Sequence, residues 1–278
     1  MTCGNISKEL ADIRLQNVSL IRIIKYAFKN DNCTKSFIDR FIYPKRGIYK
    51  IAESLSNGLE VNLNSEVTGL IYSDNRIYKV IVNNLKEFTC NNLISTMPIT
   101  ELVRLFNPPD VIKRAVGNLK YRSLILVFIV LKRKKFTDNH WIYFPDGQIF
   151  GRLHESKNWS SAMAPAEKTG ICLEIFCNKE DDVWKMADSE ISRQVIHNLP
   201  LQDKFEIEEY FVERVGYAYP VYDLNYKDNL NIIKDYLSRY KNIFLLGRTG
   251  SFQYINMDTC IKNGLNLAYS LKNMHPKT

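Results

Sequence analysis

The strongest constraint on this chain is the run Leu124–Leu131, eight consecutive apolar residues at the end of a stretch, Tyr121–Leu131, whose polar members are Arg122 and Ser123. A segment this rich in β-branched and aromatic side chains reads as a strand. A strand that does not alternate belongs in the middle of a sheet covered on both faces. The fold must therefore wrap other elements around it. At eight residues the run is far short of the ~18 that a membrane-spanning helix needs.

The rest of the chain supplies candidates for that cover. Ile48–Asn57 has an apolar stripe at helical spacing (Ile48, Ile51, Ala52, Leu55), and Gly58 sits where a left-handed cap would end it. Val18–Asn30 reads as a further helix, and Leu59–Asn64 alternates as a strand does. Glu66–Tyr72, Ile77–Val82 and Phe88–Cys90 are short β runs joined at Asn/Asp turns, the pattern of an antiparallel meander. Asn92–Thr96 makes one more strand, broken at Met97-Pro98. Beyond the apolar run, strands are expected at Trp141–Phe144, Ile149–Leu153, Ile171–Cys177 and Tyr210–Val215, with a helix at Ser189–Asn198. The chain ends in a helix at Asn229–Tyr240, a strand at Asn242–Leu246, a loop Gly247–Gly250 and a helix Met257–Leu271. The apolar face of that last helix is Met257, Ile261, Leu265, Ala268 and Leu271.

Length and charge narrow the function classes. A chain of 278 residues fits one large or two intertwined domains. The element order predicts an α/β domain interrupted by an antiparallel-sheet domain, α+β overall. Lysine and arginine exceed acidic residues, 38 to 30, so the net charge of +8 favours anionic partners. The dense basic run Lys132–Lys135 reads as a solvated turn at a strand end, and no nucleic-acid module accompanies it. Six cysteines, at 3, 33, 90, 172, 177 and 260, show no paired spacing; with no apolar leader visible, they predict reduced thiols in a cytoplasmic protein. Neither they nor the four histidines have metal-ligand spacing, and no metal site is expected.

The segment 242–272 carries the most chemistry. A short strand delivers the chain to Gly247, where a missing side chain permits close backbone approach. The helix that follows Asn256 offers unsatisfied N–H groups and a partial positive charge to a ligand oxygen. The glycines lack G-x-G-x-x-G spacing, so this is no dinucleotide fingerprint, and the arrangement alone is equally an ordinary turn.

Gly247-Arg248-Thr249-Gly250-Ser251-Phe252-Gln253-Tyr254-Ile255-Asn256-Met257-Asp258 resembles the C-terminal FAD-binding segment of the flavin-dependent amine oxidase and protoporphyrinogen oxidase-like superfamily, nearest its UDP-galactopyranose mutase branch. Tyr43–Gly47, Leu63–Val67, Ile94–Pro98, Tyr121–Leu124 and Gly151–Asn158 resemble further family segments in the same order. The resemblance implies an incomplete Rossmann-like FAD-binding domain interleaved with an antiparallel-sheet substrate domain. It divides the chain into a helical lead-in (1–46) on the substrate side, an FAD-domain part with the meander (47–100), a substrate domain (101–240) and a closing FAD-domain strand and helix (241–278).

For the cofactor, FAD, it implies Val67 at the adenine, Thr96 on the returning strand, and Gly247 and Arg248 at the pyrophosphate and ribityl chain. Asn256, Met257 and Asp258 would stand at the flavin pyrimidine. For the substrate it implies Arg152, Tyr219 and Tyr254, with Arg152 on a diphosphate. From the residues alone, Arg152 is equally a salt-bridging arginine, and Tyr217, Tyr219, Tyr222 and Tyr226 an ordinary aromatic cluster about Pro220. The family's first strand and G-x-G-x-x-G loop have no counterpart here, and Gln253 stands where the mutases carry arginine. Three readings follow: an FAD-dependent oxidoreductase of a small-molecule substrate, this chain being either a fragment of it or a split chain whose missing unit a partner chain supplies; a mutase of an anionic nucleotide sugar; or a remnant that binds without cofactor. No catalytic side chain is singled out.

Overall fold

The computed structural model describes residues 6–10, 42–145, 147–199 and 206–274. The helix expected at Val18–Asn30, most of the 1–46 lead-in, Cys3 and Cys33 lie outside them. The chain divides into two interleaved units: one of residues 1–14, 62–122 and 217–278, the other of 15–61 and 123–216.

In the first unit, β1 (Val67–Ser73), β2 (Arg76–Val82) and β3 (Lys86–Thr89) form the antiparallel meander. Its tight turns place Asp74, Asn75, Asn83 and Asn84 at positive φ, the conformation that Asn and Asp tolerate best. The short strand β4 (Leu93–Ser95) leads past Pro98 into α2 (Ile99–Arg104) and α3 (Asp110–Asn118). After a long excursion the chain returns as α6 (Tyr226–Leu237) and β10 (Ile243–Leu245), which pairs with β4 in parallel, Ile243 opposite Leu93 and Leu245 opposite Ser95. A single helical turn α7 (Gly247–Gly250) and the long helix α8 (Met257–Met274) complete it. The core joins Ile77, Leu102, Phe106, Val116, Ile233 and Phe252. Buried Asn242 ties the meander to β10 by accepting from Ile77 N and donating to the Ile77 and Asn91 carbonyls.

The second unit holds α1 (Tyr49–Ser56) and most of a five-stranded sheet, ordered β6-β7-β8-β5-β9. These strands are β5 (Tyr121–Leu131), β6 (Ile142–Tyr143), β7 (Arg152–Glu155), β8 (Thr169–Cys177) and β9 (Ile207–Pro220), with α4 (Asp182–Lys185) and α5 (Asp188–Asn198) between β8 and β9. Ile125, Val127, Ile129 and Leu131 bury one face of β5 completely against Leu153, Leu173, Ile191 and Val195; Leu126, Phe128 and Val130 on its other face are half-buried. The expectation of full cover on both faces thus holds for one face. Cys172 and Cys177 point to opposite faces of β8, as their odd spacing requires, and Cys177 joins the core.

The basic run behaves as a solvated turn: Lys132 pairs with Glu206, Lys134 with Glu167 and Lys135 with Asp138. Fully buried Glu155 holds the turn from beneath, accepting from the Phe136 and Thr137 N–H groups and from Thr169 Oγ1.

Several expectations are corrected. Leu59–Asn64 forms no strand, and the apolar members of its alternation, Leu59, Val61 and Leu63, are all exposed. Gly247–Gly250 is a helical turn rather than a loop. The span 101–240 does not stay together, since 101–122 and 217–240 supply α2, α3 and α6 to the first core, and 47–61 falls in the second unit. Of the expected apolar face of α8, Met257, Leu265 and Ala268 are exposed, while Ile261 and Leu271 are half-buried together with Thr259, Cys260, Asn263 and Leu267.

Candidate functional site

The β10–α7–α8 connection gathers most of the expected cofactor residues. Gly247 has φ +76°, and a Cβ there would stand 3.8 Å from Thr96, so the end of β4 and the start of α7 face each other directly. Gly250 brings α7 closer still, for a Cβ on it would lie 2.8 Å from the Ser95 carbonyl and 2.9 Å from Thr96 Cα. Thr249 Oγ1 donates to the Thr96 carbonyl at 3.0 Å, and Tyr121 donates its hydroxyl to the Thr249 carbonyl at 2.7 Å.

The next residue that fixes the path is Phe252, fully buried yet at φ +52°. A bulky side chain in the left-handed region is strained and persists only where its surroundings hold it. Here Tyr121 and Tyr222 pack on its ring, and the Tyr254 N–H donates to the Tyr222 hydroxyl at 2.8 Å. Nothing in the sequence marks Phe252 or Gly250 beyond their place in the motif.

The bend that Phe252 makes brings Ile255 back over α7. Arg248 Nε donates to the Ile255 carbonyl at 2.8 Å, and its guanidinium lies 4.9 Å from the Tyr219 ring centre and 5.5 Å from that of Tyr254. The two tyrosines stack on each other at 5.6 Å. Of the tyrosines around Pro220, Tyr217, Tyr222 and Tyr226 are joined through Tyr121 and Phe252 into one aromatic cluster, whereas the Tyr219 ring stacks on Tyr254. Tyr217 donates to Glu101, Tyr222 stacks on Tyr226, and Tyr219 joins Arg248 and Tyr254.

At the mouth of α8, Asn256, Met257 and Asp258 are exposed, and the helix's first internal bond runs from Cys260 N to the Asn256 carbonyl. Among the described residues no acceptor meets the Met257 or Asp258 N–H. An eighteen-residue helix therefore presents open donors and its positive dipole end to solvent, beside Arg248. A cleft of about 370 Å³ is lined by Gly247, Ser251, Gln253, Lys234 and Asn263. Val67 lies apart from this group in sequence and sheet, opening β1 opposite Val82.

Arg152 belongs to the second unit and has different neighbours. It sits directly opposite Glu174 across the β7–β8 pair, and its Nε and Nη2 both donate to that carboxylate. Its guanidinium lies 4.3 Å from the Trp141 ring centre, and His154 packs edge-on between Trp141 and Trp159. Burial pushes the Glu174 carboxyl up, but the His154 ring, its Nδ1 3.4 Å away, and the two hydrogen bonds from Arg152 outweigh it and hold it below the usual carboxylate range. The fork expected to grip a diphosphate is engaged inside the protein, the salt-bridging alternative. Glu174 was legible as a lone charge in an apolar strand; Trp141 and Trp159 carried no signal.

With this geometry in view, the family is decided by a match of residues 15–271 to the model for flavin-containing amine oxidoreductases. The chain belongs to that family. Its fold is similar to a reduced UDP-galactopyranose mutase (21% identity, TM-score 0.64, covering 76% of this chain and 48% of that one). It is also similar to a protein from Exiguobacterium sp. 255-15 assigned as a protoporphyrinogen oxidase (14%, 0.65, 82% and 51%) and to a putrescine oxidase variant (14%, 0.56, 82% and 53%). At these identities the likeness is one of fold, and the chain spans about half the length of the solved relatives. A search among curated proteins finds no significant match. No helix among the described residues is long and apolar enough to cross a membrane.

The site fits the flavin that the family's name requires. Open donors at a helix N-terminus suit a carbonyl oxygen that gains negative charge on reduction. The missing side chain at half-buried Gly247 leaves room for close approach to the backbone beside Thr96, while buried Gly250 seats α7 on the end of β4.

Proposed function

We propose that this chain forms the ring-holding part of an FAD-dependent oxidoreductase. The observation that carries the reading is the exposed α8 mouth, whose Met257 and Asp258 N–H groups have no acceptor among the described residues. Bound FAD would supply a hydride acceptor. The chain's own part is to orient and to polarise: Met257 and Asp258 N–H groups toward the pyrimidine carbonyl, Gly247 and Thr96 backbone along the ribityl and pyrophosphate. Arg248, clamped by the Ile255 carbonyl and stacked near two tyrosines, supplies positive charge at a fixed position. Val67 remains the proposed adenine neighbour.

A mutase acting on a nucleotide sugar is the second reading. It gains from the cation–tyrosine group of Arg248, Tyr219 and Tyr254, and loses from the engagement of Arg152 by Glu174. Because the chain spans about half of its relatives, both activities are proposed for the whole protein, these residues together with a dinucleotide-binding unit.

The test is reconstitution with FAD, followed by absorbance and flavin fluorescence, for the native chain and for Arg248→Ala. We expect FAD to bind and Arg248→Ala to weaken it about tenfold or more, as loss of a charged contact does. Flavin that never binds, alone or with the complementary unit, defeats both catalytic readings and leaves a cofactor-free binding protein. Calorimetric titration of the flavin-loaded protein with UDP-sugars separates the mutase from the oxidoreductase.

A further inference from the structure

Among the described residues, every non-glycine residue at positive φ is an asparagine or aspartate except Phe252. Short polar side chains tolerate that conformation; a phenylalanine keeps it only where its surroundings hold it there. The rings of Tyr121, Tyr222 and Tyr226 surround its side chain, with centres 5.0, 6.2 and 6.3 Å away. The backbone of the bend is held by a single atom. The Tyr222 hydroxyl accepts the Tyr254 N–H at 2.8 Å and donates to the Phe252 carbonyl at 3.4 Å, so both sides of the bend converge on it. Burial pushes the Tyr222 phenol up, which keeps the proton it donates.

Tyr222 is anchored from behind in its turn. Its ring stacks on that of Tyr226 with centres 4.1 Å apart and planes within 4°. Its carbonyl accepts from Ser7 N at 2.8 Å, and Ile6 bridges the neighbouring Asp223. Glu9 accepts the Tyr226 hydroxyl and pairs with Lys227 at 2.6 Å. This supporting segment, Ile6–Glu9, lies outside the residues matched to the family model. On the other side of the bend, the residues after Tyr254 hold Arg248. The Ile255 carbonyl accepts from Arg248 Nε at 2.8 Å, and Asn256 Oδ1 from its Nη2 at 3.5 Å. The anchored N–H and the anchored arginine are thus joined by two residues of backbone.

We propose that Tyr222 is a positioning residue of the cofactor site: its hydroxyl fixes the Phe252–Tyr254 bend and, through Ile255 and Asn256, the place of the Arg248 guanidinium. The proposal rests on the flavin reading in its last step, from Arg248 to FAD. The step from Tyr222 to Arg248 belongs to this chain alone and is tested without flavin.

Tyr222→Phe deletes the hydroxyl and keeps the stacked ring. In the cofactor-free full chain, nuclear magnetic resonance follows hydrogen exchange at the Tyr254 amide and at Arg248 Nε–H, with the amides of Ile77 and Ile233 as core references. We expect exchange at both reporters to rise about tenfold in the variant while the core amides keep their native rates. With FAD added, Tyr222→Phe should weaken binding about fivefold by itself and no further where Arg248 is already alanine, because a residue that acts through another adds nothing once the other is gone. Unchanged exchange at Arg248 Nε–H overturns the proposal whether or not flavin binds. Losses of FAD affinity that add in the double variant Y222F/R248A overturn it as well, and so does faster exchange throughout the core, which makes Tyr222 a residue of general stability. A native chain that binds no FAD defeats the flavin reading, and exchange at Arg248 then upholds or overturns the link from Tyr222 by itself.

Discussion

At the scale of single residues, the most informative pair is Arg152 and Glu174. The carboxylate is buried and its partner nearly so, with side-chain exposures of 3% and 17%. Removing one member of such a pair leaves the other charge uncompensated, which costs more than the pair itself contributes. Glu174→Gln should therefore lower unfolding stability by about 3 kcal/mol in urea at neutral pH. Because the folded-state carboxyl is held below its ordinary range, its contribution is complete above the unfolded pKa of roughly 4.3 and is lost as pH falls through the lowered folded value. The gap between native and variant should accordingly close only on the acid side, below about pH 4. A gap that stays open below that pH would mean that its partners do not hold the Glu174 carboxyl low. The sequence allowed Arg152 to be a salt-bridging arginine but did not name its partner. The pairing depends on the β7–β8 register, which is set across the loop 156–168 that no local pattern reveals.

Helices and turns show the limits of pattern reading differently. Periodicity identified α8 correctly, but of its apolar stripe Met257, Leu265 and Ala268 are exposed and only Ile261 and Leu271 half-buried. A period of 3.6 says which residues share a face; it does not say what that face meets. The meander was legible because Asn and Asp at its tight turns have a local cause, and the β10–α7 turn because glycine has one. Within that turn the two glycines differ in a testable way. Gly247→Ala has room for its methyl group, 3.8 Å from Thr96, and meets only the strain of φ +76°, about 1 kcal/mol. Gly250→Ala drives a methyl into the Ser95 carbonyl and Thr96 Cα, both backbone atoms that cannot swing away. It should cost about 2–3 kcal/mol and displace α7 from the end of β4. Thermal unfolding of the two variants checks the order; equal losses would mean that α7 does not pack on β4 as described.

For the whole molecule, the decisive fact is that two cores share one chain by interleaving. The sequence revealed the interleaving, from an α/β pattern interrupted by long strands, but misplaced its borders. The helices α2, α3 and α6 look like parts of the domain in which they fall along the chain. They belong instead where their buried faces go, with Leu102, Val116 and Ile233 in the first core. Nothing local distinguishes an apolar face destined for one core from a face destined for the other. Leu102 and Leu173 are both buried to within 1% and lie in different cores, so truncating each tests the division. Leu102→Ala and Leu173→Ala should each cost about 2–5 kcal/mol, the range for leucine truncation in a closed core. Amide exchange then reads where the loss falls. Leu173→Ala should speed exchange through β5, β7 and β8 and leave the amides of Ile77 and Ile233 at their native rates, and Leu102→Ala should do the reverse. If either substitution instead accelerates both sets equally, the two cores unfold as one cooperative unit, and the division by contacts has no thermodynamic counterpart.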